Sequence, residues 1–435
     1  MNKKDVEFLN QIKDPGPSLW LLTLFQVLAL SLVFAFHIQD LNISSLVFGL
    51  GLIIMTTLSI ALIRKSSEGD PYFLMIVNMI FSIGVIMIYR IRPSLGEKQL
   101  LFYLIGIVLY FAGYLFLLKT HARWEGRFLF FFLLTLAFFL VTLLFGVSYH
   151  GAKNWIRFGD LFQIQLTEFA KLTYVYMIAS WFQHYEDYQE TTLKKWSLTL
   201  AVFFFIGLFF IQHELGTAVV FFAVLIICQF AFEKNRMIPY MNLILAGGGL
   251  FFAYQIFPYI QTRVSVWLNP WSDYNVKGYQ IIQAEFALAE GSFFGTGIGQ
   301  GQPGSVPLGF SDFIFATVVE EMGAFMGICL IFLFIIFTYR GIKTTFRQER
   351  DFYSALALSV VAIFASQSLI IFAGTLRMIP FTGITIPFLT YGGSSLLSSF
   401  LLLSILQVAS ERGAFPESPK KERRKALPHQ KEVNQ

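Results

Sequence analysis

Runs of about twenty apolar residues recur along nearly the whole chain, and very few folds accommodate that pattern. A run of this length crosses a hydrocarbon layer of about 30 Å as a helix. Lipid offers no partners to free backbone groups, so spanning segments are helices or closed barrels, and barrel strands are about half this length. The runs predict an all-α polytopic membrane protein with about twelve transmembrane helices, from Ser18–Phe36 at the start to Thr385–Ala409 at the end. One of them, Leu166–Phe182, is interrupted by Glu168 and Lys171. Composition agrees, with 56% hydrophobic and 14% charged residues and a mean hydropathy of +0.63, outside the range of soluble domains.

The same features exclude several classes. Cys228 and Cys329 both fall inside apolar runs, so neither a disulfide nor a thiolate metal site is suggested. The six histidines are scattered, without the spacing of a soft-metal enzyme. No nucleic-acid partner is expected. The first apolar run lacks a small-residue cleavage site and is expected to remain as a span.

Orientation follows from Lys and Arg. With both termini in the cytoplasm, the cytoplasmic segments hold most of the 32 basic residues. The expected organisation is a cytoplasmic tail (1–17), two N-terminal spans (18–71), a ten-helix membrane domain (72–412) and a basic cytoplasmic tail (413–435). A long extracytoplasmic loop, about 260–312, then precedes the tenth helix. The basic tail reads as a topology-fixing segment rather than a catalytic one.

That loop is the place to expect chemistry, because irregular backbone is kept between spans where it forms a site. Asn269, Pro270 and Asp273 are expected to break any helix in its first part. Tyr279–Glu290 reads as a short amphipathic helix with Ile282, Phe286 and Ala289 on one side and Gln280, Gln283 and Glu290 elsewhere. The glycines of 295–304 follow no strand, so they read as turns or as backbone brought close to a ligand rather than as a nucleotide cradle. Asp312, with Ser311 as N-cap, is expected in the first turn of an apolar helix, whose dipole favours the ionised carboxylate. It can complete a helix terminus, or it can take a proton from a sugar hydroxyl. Glu320 and Glu321 lie deeper, where at least one needs a cation or a hydrogen-bond donor.

Other polar residues stand where burial is costly. Glu168 and Lys171, three apart on a helix, share a face and can neutralise each other or hold substrate. The preceding stretch, Gly151 to Gln165, reads as an interfacial element that places Lys153 and Arg157 at headgroup level, where they either snorkel or meet a phosphate.

Five blocks, in order, resemble the SEDS proteins (shape, elongation, division and sporulation: RodA, FtsW and SpoVE). They are GAKNWIRFGDLFQIQLTEFAKL from Gly151, QHELGTA from Gln212, NPWSDYNVKGYQIIQ from Asn269, GFSDFIFATVVEEMG from Gly309 and PFTGITIPFLTYGGSSL from Pro380. The resemblance implies a peptidoglycan glycosyltransferase that polymerises lipid II, working with a class B penicillin-binding protein in elongation, division or sporulation. It implies that Asp312 is the essential acid, and it marks Glu214, Glu320, Glu321, Tyr391 and Ser394 as motif residues. Asp312 would deprotonate the acceptor hydroxyl, and the departing diphosphate would need Lys153, Arg157, Arg263 or a divalent cation such as Mg or Mn. Glu168, Lys171, Asp273, Gln280 and Gln283 complete the expected substrate contacts. This chain departs from the family in having Phe310 and Ser311 before the acid, Glu214 for an aspartate and Leu166 for a proline. Two other functions fit a bundle with buried charges, a lipid II flippase and a non-catalytic scaffold. The one-sided loop with its acid favours the enzyme.

Overall fold

Helix is the state in which each apolar run satisfies its own backbone, and the computed structural model describes residues 16–36, 42–149, 152–158, 162–274 and 277–411. The basic tail and the first fifteen residues lie outside the described residues. The helices begin with α1 (Gly16–Phe36), α2 (Ile43–Ser66), α3 (Tyr72–Ile91), α4 (Pro93–Thr120), α5 (Phe128–Phe145), α6 (Leu166–Gln183) and α7 (Thr192–Ile211). They continue with α8 (Leu215–Phe232), α9 (Met237–Ile256), α10 (Pro258–Leu268), α11 (Tyr279–Gly291), α12 (Ile314–Arg347), α13 (Asp351–Thr375) and α14 (Gly393–Ser410). Local chemistry sets several boundaries. The Asn42 side chain accepts from Ser45 N–H (2.9 Å) to cap α2, and Pro93 and Pro258 open α4 and α10, where a missing N–H costs nothing.

Among the described residues, eleven helices are long and apolar enough to cross a membrane, where about twelve were expected. The difference is α6, which has the required 18 residues but carries Glu168, Lys171 and several hydroxyl side chains. It packs between α5 and α13 with most of its surface buried, so its polar groups face protein rather than lipid. The bundle is layered accordingly. In α3 and α13, 83% and 89% of the spanning window is buried, against 22% in α5 and α9, so the first pair forms the core and the second faces lipid.

One end of the bundle carries the irregular structure. Between α5 and α6 the chain forms a three-stranded antiparallel meander: β1 (Val147–Tyr149), β2 (Ala152–Phe158) and β3 (Phe162–Ile164). Residues 156, 157 and 158 of β2 face 164, 163 and 162 of β3. The expected interfacial element is thus a sheet. Asn154 and Ile156 are buried while Arg157 is exposed, the two-residue alternation of a strand with one face on protein. In the long loop, α10 runs on through Arg263 to Leu268 and stops at Asn269, with a 3-10 turn over Pro270–Asp273, so the breakers end a helix there. Helix α11 forms where expected, but it buries Ile282, Ala284 and Ala287 and leaves Phe286 and Ala289 exposed. Its alanines let it approach α12 closely, against Phe313 and Ala316.

Candidate active site

Helix α12 is broken. Gly323 has φ 84° and ψ 164°, a conformation essentially restricted to glycine, and it separates the buried half-helix Ile314–Met322 from the stretch 324–347. That second stretch, at 1.5 Å per residue, measures about 36 Å and crosses the apolar layer by itself. The first half is therefore a separate short helix set into the site end of the bundle. A break leaves backbone groups without partners, and the Gly-rich loop supplies them. Thr296 and Gly297 N–H donate to Glu320 and Glu321 C=O (2.9 and 3.0 Å), while Ala324 and Phe325 N–H donate to Ser292 and Phe293 C=O (3.0 and 3.1 Å). The glycines admit close approach, but to the protein's own helix. A Cβ on Gly323 would sit 2.3 Å from Phe293 O, and one on Gly295 would sit 2.3 Å from Glu321 O.

Glu320 and Glu321 fasten the next residues of the same loop. Gln302 N–H donates to Glu320 Oε1 (2.6 Å) and Gly299 N–H to Glu321 Oε2 (3.0 Å). Arg90, at the end of α3, pairs with Glu321 (3.2 Å) and donates to the Gly299 and Gly301 carbonyls (3.0 and 3.3 Å). The expectation that a deep acid needs a cation or donors holds for both.

Asp312 lies in the turn Leu308–Phe313, two residues before α12 begins, rather than in its first turn. Ser311 does not cap the helix; its hydroxyl donates back to Leu308 C=O (3.3 Å), because Leu308 at φ 55° folds the chain into a tight turn before the helix starts. The partly exposed carboxylate faces the segment 380–391. A Cβ on Gly383 would stand 3.8 Å from Asp312 Oδ2. Phe313 stacks on Phe381 (4.5 Å), Tyr391 N–H donates to Phe310 C=O (3.1 Å), and the Tyr391 ring meets Phe310 edge-on.

Two cations border this turn. Arg263, on α10, donates to the carbonyls of Phe381 (3.3 Å) and Thr382 (2.8 Å). Burial pulls its pKa down, while the fields of Tyr259 and Asp312 oppose that, and a guanidinium stays charged under such conditions. Arg92, between α3 and α4, lies over the Phe310 ring at 5.6 Å. A partly exposed carboxylate with a guanidinium held beside it can accept a proton and stabilise a developing anion in one place.

A second polar cluster gathers where α6 and α8 begin, next to Gly216, which packs against Thr382 and Ile384. The buried Glu214, just before α8, accepts from Thr217 (2.6 Å), Gln165 (3.0 Å), Asn154 (3.1 Å) and Thr167 (3.2 Å). It joins the meander, α6 and α8 at one point. Burial raises its carboxyl pKa, and the hydrogen bonds from Thr217 and Asn154 work against that. Lys171 Nζ donates to both Glu168 oxygens at 2.8 Å, and Ser398 of α14 donates to Glu168 Oε2 (2.9 Å). Both members of the pair are buried, so they spend their charge on each other. Gln165 N–H donates to Ser394 Oγ (3.2 Å), which ties α6 to the start of α14.

The remaining expected residues are dispersed. Arg157 is exposed on β2, and of Lys153 only the backbone position opposite Ser148 is described. Gln280 is exposed on α11, Gln283 is half-buried there, and Asp273 lies in the 3-10 turn, its carbonyl accepting from Gly278 N–H (3.0 Å). The structure brings together Asp312, Arg263 and Tyr391, and separately Glu168, Lys171, Glu214 and Ser394. Arg90 and Arg92 escaped sequence reasoning. Their signal was two arginines at the wrong end of an apolar run, against the basic-residue bias.

Comparison with known proteins gives concordant findings. The family described as "Cell cycle protein", covering FtsW, RodA and SpoVE, matches residues 70–413. Peptidoglycan glycosyltransferase RodA of Mycobacterium leprae (strain TN) is 30% identical over 409 residues, 87% of this chain and 86% of the relative. Stage V sporulation protein E of Bacillus subtilis (strain 168) is 29% identical over 361 residues, 79% of this chain and 97% of the relative. Among solved structures, a chain of a peptidoglycan synthase complex described as coordinating polymerization and crosslinking superposes with a TM-score of 0.68. It is 21% identical, over 80% of this chain and 99% of that one. Thermus thermophilus rod shape determining protein RodA gives 0.60 at 20% identity, with the same coverage. At such identities the two structures speak for the fold alone.

Proposed function

We infer the function from the FtsW, RodA and SpoVE cell cycle protein family, to which this chain belongs: it is a peptidoglycan glycosyltransferase built as a multi-pass membrane protein. The substrate we propose is lipid II, polymerised into glycan strands, and the enzyme's home is the cytoplasmic membrane. The Lys and Arg bias supports both termini inside, which puts Asp312 and the broken helix at the outer face.

The observation that carries the mechanism is the placement of Asp312 in the turn before the half-helix, beside Gly383 and within the field of Arg263. In this reading Asp312 takes the proton of the acceptor sugar hydroxyl, and that oxygen attacks the anomeric carbon of the donor. The bond to the lipid diphosphate breaks, and the leaving group departs with the electron pair and its negative charge. Arg263 and Arg92 border the turn and are assigned to that charge. Among the described residues no group of three or more His, Cys, Asp or Glu comes together, and a divalent cation such as Mg or Mn would share the leaving-group charge with these arginines by way of the substrate's own phosphates. A class B penicillin-binding protein is the proposed partner, a reading supported by the similar chain from a peptidoglycan synthase complex described as coordinating polymerization and crosslinking.

The test is lipid II polymerisation by purified protein, with and without the cognate penicillin-binding protein, for wild type and Asp312→Asn. Loss of a base costs about 10²–10⁴-fold, so strands are expected from wild type and essentially none from an equally well-folded variant. Equal product from both would remove Asp312 as the base. No product from either, with the partner present, would favour a flippase or scaffold.

A further inference from the structure

Helices α1 and α2 precede the stretch that matches the family, and nothing in the mechanism uses them. They are nevertheless fixed to the core by polar contacts that lipid makes selective. Gln26, fully buried on α1, donates from Nε2 to Thr56 of α2 (3.0 Å) and to Ser82 of α3 (2.8 Å). Towards the site end the contacts become aromatic. Tyr89 of α3 stacks on Phe48 of α2 (4.1 Å, 15°), meets Phe34 of α1 edge-on (6.2 Å), and donates to Ser45 Oγ (2.9 Å). The next residue is Arg90, which grips Gly299, Gly301 and Glu321. The last residue of α1 also touches that loop directly. A Cβ on Gly299 would lie 2.7 Å from the Phe36 ring, so ring and bare backbone are in contact.

We propose that α1 and α2 are a buttress for the Gly-rich loop, with Phe36 and Tyr89 as positioning residues that keep it seated on the broken helix. Phe36 bears on Gly299 from outside, and Tyr89, held by Phe48 and Phe34, fixes the arginine that clamps the loop. The seated loop satisfies the backbone at Gly323 and thereby fixes the half-helix that follows Asp312. The proposal rests on the glycosyltransferase reading for its kinetic consequence, but the seating itself can be measured independently.

The experiment compares wild type, Phe36→Ala, Phe34→Ala and Leu28→Ala, the last at an exposed α1 position as control. Amide hydrogen exchange is followed at Thr296, Gly297, Gly299 and Gln302, whose N–H groups bond to residues 320 and 321. Phe36→Ala is expected to speed exchange at these amides by about tenfold or more, leaving α13 protected. It should lower kcat for lipid II polymerisation by a similar factor with KM little changed, and Phe36→Tyr should restore both. Phe34→Ala, acting through Tyr89, should give a smaller change in the same direction, and Leu28→Ala none. Unchanged loop exchange in both Phe36→Ala and Phe34→Ala would overturn the buttress. An exchange effect without polymerisation in wild type would instead count against the glycosyltransferase reading while leaving the buttress standing.

Discussion

Replacing Gly323 by alanine should unseat the Gly-rich loop from the broken helix, and the cost can be worked from the backbone. At φ 84° and ψ 164° a residue with a Cβ is strained by about 1–3 kcal/mol. The added carbon would also sit 2.3 Å from Phe293 O and 2.5 Å from Gly295 N, both backbone atoms that can yield only if the loop withdraws. Withdrawal breaks the four hydrogen bonds that cross the break, at about 0.5–1.5 kcal/mol each. Those bonds hold the seated loop in wild type and variant alike, so the shift in the seating equilibrium comes from the strain and the clash, of which the strain alone is worth about fivefold to a hundredfold. Gly247→Ala is the matched control, because a Cβ there meets nothing within 4 Å and alanine is favoured in a helix by about 1 kcal/mol. The assay is limited proteolysis of the 292–302 loop together with lipid II polymerisation on detergent-purified protein. Gly323→Ala should expose the loop and lose most activity while remaining monodisperse. If it matches Gly247→Ala in both readouts, the loop does not depend on the break and the reasoning fails.

The other predictions concern buried charge and the arginines. Lys171→Ala strands Glu168 in the core and should cost about 3–5 kcal/mol, seen as a lowered thermal midpoint, whereas Glu168→Leu with Lys171→Met should recover most of it. The Glu214 carboxyl is raised by burial, so its contribution to stability is present below the ordinary carboxylate range and is lost as pH rises through the folded-state value. Glu214→Gln should flatten that part of a stability-against-pH curve, and an unchanged slope would argue against it. Arg263→Ala should reduce kcat by about 10²–10³-fold, and Arg263→Lys should fall between, since a lysine keeps the charge but not the fork that engages two carbonyls.

What the sequence determined by itself is the part governed by local and solvent rules. Lipid forces apolar runs into helices, so the spans were legible from composition and length. The pairing of Glu168 with Lys171 was legible because a three-residue spacing on one helix leaves little choice of partner. Asp312 stood out as a candidate through its place after a Gly-rich loop and through the family resemblance, although an acid completing a helix terminus reads the same locally. Tertiary structure decided the rest. The span from Phe313 to Tyr339 reads as one uninterrupted helix in sequence, yet it breaks at Gly323, where residues 292–297 satisfy the severed backbone. The stretch from Gly151 to Gln165 was read as an interfacial element rather than as strands because alternation over so few residues is overwhelmed by its aromatic content. Arg90 and Arg92 acquired their roles from carbonyls and rings that lie some two hundred residues away in the chain. Contacts of that separation depend on how the core closes, which periodicity does not encode, and so the Gly-rich segment could be recognised as special from the sequence, while its seat on the broken helix could not.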